Sequence, residues 1–293
     1  MPHARNILRS SRPLHILFAA LTYSLGAGIA HYLGGIFRWP AFWLGLLAVL
    51  ALQAAPPLLL EYFRLPLMPR LPGETARQRE GFRTLLLQVS YAALTLYGVA
   101  VLTLFLTRSI HLFAGILLTL DLLLLVAWAV PPVRLAEAGY GELVLAFVLA
   151  TLVPAIAYLL QADEFHRLLP LTAFPLTLLA LAYFLAADFP AFTADQKLGR
   201  RSLLIRLTWQ RAVPIHHVLI LAAFLLFTAT PLVRVPWALV WPVFLTLPFA
   251  AMQVIWLQRI ANGGRTLWRF FVPLAAAVFG LPVYLLALTF WIR

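Results

Sequence analysis

Apolar runs of about twenty residues, separated by short basic or Gly/Pro-containing breaks, fill this chain from residue 14 to residue 291. A helix crossing the hydrocarbon core needs about 20 mostly apolar residues. Nine runs meet that length: 14–34, 40–63, 84–107, 109–130, 140–161, 168–187, 212–232, 236–258 and 268–291. Pro40, Pro131-Pro132, Gly139, Pro170, Pro236 and Gly263-Gly264 lie at or near their ends, where such residues punctuate helices. No polar linker interrupts the pattern. It predicts an all-α polytopic membrane protein, with 1–293 as a single transmembrane domain.

The bases choose a side. With the N-terminus in the cytoplasm, 17 of the 22 Lys and Arg residues fall in inner segments. The outer ones are Arg38, Arg108, Arg167, Arg234 and Arg293. Cytoplasmic loops carry such an excess, so the N-terminus is expected inside and the C-terminus outside, in the cell membrane. The first run has the basic flank of a signal peptide but is too long for its apolar core, and reads as a retained helix.

Composition agrees: 63% of residues are hydrophobic and 11% charged, against roughly 25% charged in soluble domains. The net charge of +12 follows from the basic loops. With no basic soluble domain to carry it, nucleic acid is excluded as a partner. The absence of cysteine excludes disulfides, thiol nucleophiles and Cys-ligated metals.

The two longest loops, 64–83 and 188–211, are both on the inner side, and each carries five bases. They follow the second and sixth helices. "LLLEYFRLPLMPR" (58–70) and "AADFPAFTADQKLGRR" (186–201) each join an acid, an aromatic, a proline and then bases, as if two halves faced one site. Basic loops also serve topology and contact with anionic lipid. Carboxylates at a membrane surface hold Mg²⁺ through oxygen, with waters and phosphates completing the shell. Arginines add forked donors for a diphosphate. The combination suits a lipid diphosphate with its head under these loops and its tail between helices.

Three segments resemble the UbiA superfamily of intramembrane prenyltransferases, nearer its naphthoate-prenylating, MenA-like branch. "LRSSRPLHILFAALTYSLGAGIA" (8–30) resembles the family's first helix, with its Arg-Pro entry at Arg12-Pro13. "WAVPPVRLAEAGYGELVL" (128–145) is similar to its Tyr-Ser-x-Pro-Pro-x-Arg-Leu stretch and the following Gly-x-Gly-Glu, with Trp128 in place of the tyrosine. "DFPAFTADQKLGRRSLLIRL" (188–207) is similar to the second aspartate motif. The resemblance implies nine helices around a lipid-open central cavity. It also implies two Asp-rich motifs binding Mg²⁺ and an isoprenyl diphosphate, and transfer of the isoprenyl group to an aromatic acceptor. Asp195 then matches a motif position and Asp188 lies one helical turn before the other; these two are the catalytic and metal candidates, with Glu61 as a further acid. Arg64, Arg134, Lys197, Arg200, Arg201, Asp121, Trp128 and Glu142 are the substrate-binding candidates.

This chain departs from the family where metal binding is concentrated. The first motif, Asn-x-x-x-Asp-x-x-x-Asp, becomes Leu60, Arg64 and Met68, and the first aspartate of the second becomes Ala191. Arg64 at a ligand position repels a cation and attracts a phosphate. Glu61, Asp188 and Asp195 suffice for a single Mg²⁺ site, not two.

Other polar residues are ambiguous. Asp121, deep in the fourth run, is a functional candidate because intramembrane carboxylates are expensive; a neutral acid tying helices together is the alternative. It shares a helix face with Trp128 at i, i+7. Glu142 either orients the turn marked by Gly139 and Gly141 or binds acceptor. The histidines, His15 and His31 among them, lack the paired arrangement that haem or chlorin ligation needs. Two classes of function remain. One is a prenyltransferase. The other is a catalytically lapsed relative that binds an isoprenoid, quinone or pigment, or serves as a subunit of a membrane complex. With one deep acid, an ion pathway is poorly supported.

Overall fold

The computed structural model describes residues 12–67 and 75–293. Met68, which the sequence places at a motif position, lies outside the described residues. Among the described residues, nine helices are long and apolar enough to span a membrane. They are α1 Pro13–Tyr32, α2 Trp39–Arg64, α3 Ala76–Leu106, α4 Leu112–Ala129, α5 Gly141–Leu159, α6 Leu168–Asp188, α7 Leu203–Ala229, α8 Trp237–Ala261 and α9 Trp268–Ile292.

The polar connections differ from expectation. α3 starts at Ala76, not at 84, because a capping box starts it there: Gln78 N donates to Thr75 Oγ1 at 3.2 Å and Thr75 N donates to Gln78 Oε1 at 3.0 Å. Together these satisfy two backbone donors that would otherwise be orphaned. Residues 76–83 of the expected loop 64–83 are thus helix reaching beyond the apolar run. The expected loop 188–211 is also largely helical. α6 passes through a 3₁₀ turn, Phe189–Ala191, into a short helix, Phe192–Lys197. Ser202 Oγ then caps α7 by accepting from Ile205 N. α7 breaks at Thr208, whose φ of 64° and ψ of 158° are not helical. A β-branched residue adopts such a backbone only when its surroundings force it.

α5 is the most buried span and packs against α1 and α6. α1 also lies along α9, α6 along α7 and α9, and α2 along α3. Helices in lipid gain little from burying apolar surface, so close approach between small residues holds them together. Gly26 shows this: a Cβ there would overlap the Pro154 carbonyl oxygen of α5. Val148–Leu152 of α5 is a π-helical turn, wider than its neighbours. α3, α4, α7 and α8 stand outside, presenting Leu106, Leu112, Leu221 and Ile255 outward.

One end of the bundle is latched by Arg38. Its amide donates to Gln161 Oε1 at 2.7 Å, and its guanidinium reaches the Gln161 carbonyl and Asp163 at 3.1 and 3.2 Å. His111 Nε2 lies 2.8 Å from the same carboxylate. Three connections are thereby joined, and the opposite end is left to open into a cavity.

Candidate functional site: an arginine–carboxylate cavity

The cavity is formed by the start of α1, the end of α2, the turn into α5 and the α6–α7 connection. Its volume is about 210 Å³. Arg12, Arg64, Arg200 and Arg201 line it beside Glu137, Glu142, Asp188 and Asp195. Trp128, Phe184 and Leu60 supply apolar wall.

Local backbone features aim these groups. Arg12 caps α1 with φ 50°, in the left-handed region, which a non-glycine residue adopts only when its surroundings hold it there. Its guanidinium lies over the Trp128 ring, 5.4 Å from the centroid. Burial pushes the Arg12 pKa below its ordinary value, and the Asp188 carboxylate pulls it back up. Trp128 Nε1 donates to the Gly141 carbonyl at 3.2 Å. A Cβ on Gly141 would crowd the Ala136 backbone, so glycine lets the turn close against that indole.

The acids are already engaged. Glu137 accepts from Arg64 Nε at 2.6 Å and lies 2.8 Å from Arg134 Nη2. Asp195 accepts from Arg200 Nη1 at 3.1 Å. Glu142, only 8% exposed, accepts from Leu203 N at 3.2 Å, so it positions the start of α7. Its carboxyl also meets that of Asp188. Both groups accept only when ionised, so the contact is a hydrogen bond only if a proton is shared.

The sequence candidates therefore separate. Arg64, Arg200, Arg201, Trp128, Glu142, Asp188 and Asp195 meet at the cavity, and Ala191, where the sequence resemblance expects an aspartate, also lines it. Arg134 acts through Glu137 and is not among the lining residues; nor are Lys197 and Glu61. Asp121 is also apart from it. It is fully buried, and its oxygens have no hydrogen-bond partner among the described residues. Arg12 and Glu137 are wall residues that sequence reasoning did not select. Arg12 was visible only as a helix entry; Glu137 lies within the 128–145 stretch, and its i+3 spacing from Arg134 was the signal that could have found it.

No family model and no curated protein sequence matches this chain. Solved structures do. A digeranylgeranylglyceryl phosphate synthase is similar over 100% of this chain and 98% of its own, at 14% identity and TM-score 0.58. A UbiA homologue from Aeropyrum pernix K1 is similar over 94% of this chain and 96% of its own, at 17% identity and TM-score 0.61. Another from Archaeoglobus fulgidus, bound to GPP and Mg²⁺, is similar over 96% of this chain and 99% of its own, at 13% identity and TM-score 0.57. The fold is UbiA-like.

A two-Mg²⁺ centre does not fit the residues that this UbiA-like fold brings together here. Mg²⁺ wants carboxylate oxygens free to face it. Two of the four cavity acids are tied to arginines at 2.6 and 3.1 Å, and the other two face each other. Among the described residues, no group of three metal-ligating side chains comes together.

Proposed function

We propose that this chain is a single-domain UbiA-type membrane protein whose cavity grips the phosphorylated head of an isoprenoid lipid with arginines, without the two-metal prenyl-transfer reaction. The engagement of each cavity acid by an arginine or by a second carboxyl carries the reading. Four arginines face the same small volume. Their forked donors match phosphate oxygens, and a diphosphate can displace Asp195 from Arg200 and Glu137 from Arg64 by offering more negative charge. Phe184, Leu145 and Leu60 continue the wall in apolar side chains, where a hydrocarbon tail would begin. The bias of bases toward this end supports a cytoplasmic side for the cavity, in a chain read as a plasma-membrane protein.

The second reading is a prenyltransferase of the MenA-like branch working with one Mg²⁺. Glu142 Oε2 supports it, being buried without a conventional donor and facing Asp188. Calorimetry with geranylgeranyl diphosphate, with and without Mg²⁺, separates the two. The arginine reading expects binding that survives EDTA and does not weaken in Asp195→Ala, which frees Arg200. Binding that needs Mg²⁺ and disappears in Asp195→Ala overturns it and restores the metal reading.

A further inference from the structure

The last stretch of the chain has an unusual charge balance. After Asp195 there is no acid, while ten bases follow. Their counter-charge has to come from another part of the fold or from outside the chain. Arg200 finds Asp195, and Arg206 lies over Tyr140. At the α8–α9 corner lies a groove, and among the described residues no acid lines it.

That groove, about 410 Å³, is lined along α8 by Met252, Ile255, Trp256 and Arg259, and from the connection by Arg265 and Leu267. The α8 positions follow i, i+3, i+4, i+7, so they form one stripe about 10 Å long by helical rise. The stripe is apolar until its last residue, which is a base. Gly263, at φ 86°, and Gly264, whose amide donates to the Arg259 carbonyl at 2.9 Å, fold the connection back onto the end of α8. A Cβ on Gly264 would crowd that same carbonyl. The fold-back brings Arg265 to the same groove that Arg259 lines. Trp256 stacks on Phe270 with ring centroids 6.5 Å apart, which stiffens its far wall.

We propose that this corner is a binding site for one anionic phospholipid of the surrounding bilayer. Its phosphate sits between Arg259 and Arg265, and one acyl chain lies along Met252 and Ile255. The charges specify an anion, and the apolar stripe running from them into the bilayer specifies that the anion carries a hydrocarbon chain. A free phosphate would use the arginines and leave the stripe uncovered. This site lies outside the arginine–carboxylate cavity and shares no residue with it.

The test is native mass spectrometry of the full chain in neutral detergent, titrated with phosphatidylglycerol or phosphatidylcholine of matched acyl chains. One phosphatidylglycerol is expected to stay bound at concentrations where phosphatidylcholine does not. A base near a membrane surface is worth roughly fivefold in affinity for anionic lipid, so Arg259→Gln with Arg265→Gln should weaken that adduct roughly 25-fold. Arg234→Gln with Arg293→Gln, which removes the same charge at the other end, should leave it unchanged. Ile255→Arg, which blocks the stripe while adding a base, should also weaken it. Equal retention of the two lipids overturns the proposal. So does an adduct that survives the first pair of substitutions, or one that falls equally with the second.

Discussion

Arg64 Nε donates to Glu137 Oε1 at 2.6 Å, joining the end of α2 to the turn before α5 across the cavity wall. The arginine that the UbiA resemblance aligns with a metal-ligand position is therefore already half of an ion pair. Both side chains are largely shielded, at 17% and 25% exposure. Arg64→Met removes a charged donor from a partly buried acceptor that retains Arg134. The expected loss is about 1–3 kcal/mol, read as a lower thermal midpoint in detergent. A double-mutant cycle with Glu137→Gln should show coupling between the two positions.

Glu142 holds the α7 start through Leu203 N and meets Asp188 with the same carboxyl. Glu142→Gln keeps an acceptor for the amide and adds a donor toward Asp188. It should fold at least as stably as the parent. Glu142→Ala orphans the amide, as loss of a helix cap does, and should cost about 1 kcal/mol. Comparing the two thermal midpoints checks this; equal midpoints would mean that Glu142 does not position α7.

Asp121 is buried without a hydrogen-bond partner among the described residues. A polar group held in that way costs about 1–3 kcal/mol by mutational measures. Asp121→Val should therefore raise the thermal midpoint. A fall would reveal a partner for the carboxyl, such as a bound ligand.

Two glycines should respond in opposite directions. Gly26→Ala sets a methyl against the Pro154 backbone, which cannot swing aside. It should cost roughly 1–3 kcal/mol through overpacking. Gly98 of α3 has nothing within 4 Å of a Cβ. Gly98→Ala should gain up to about 1 kcal/mol from helix propensity. Thermal unfolding of the two variants side by side is the measurement.

The spans were legible because a bilayer imposes one length on every crossing, and apolar runs record it directly. Their ends were not. Hydropathy stops at the membrane surface, whereas α3 continues to Ala76 under the control of its cap. The signal was present in sequence as Thr75 followed three residues later by Gln78, but it lies among charged residues that read as loop. The break at Thr208 had no local marker: no glycine or proline occupies the position, and neighbouring elements impose the backbone. For the cavity, motif resemblance picked out residues on α2, the turn into α5 and the α6–α7 connection. Arg12 and Glu137 could not be selected in that way, since their role depends on which helix ends meet.

The wide turn at Val148–Leu152 gives α5 two orientations. Each helical residue advances the side chain by about 100°. An extra residue inside one turn therefore offsets everything after it by about that angle relative to everything before. Glu142 can thus face the cavity while Pro154, on the same helix, faces Gly26 of α1. A regular helix of the same sequence would have to surrender one of these contacts. The surplus residue works as a phase shifter: deleting one residue between 148 and 152 would return the polar end of α5 and its packing end to the register of a regular helix.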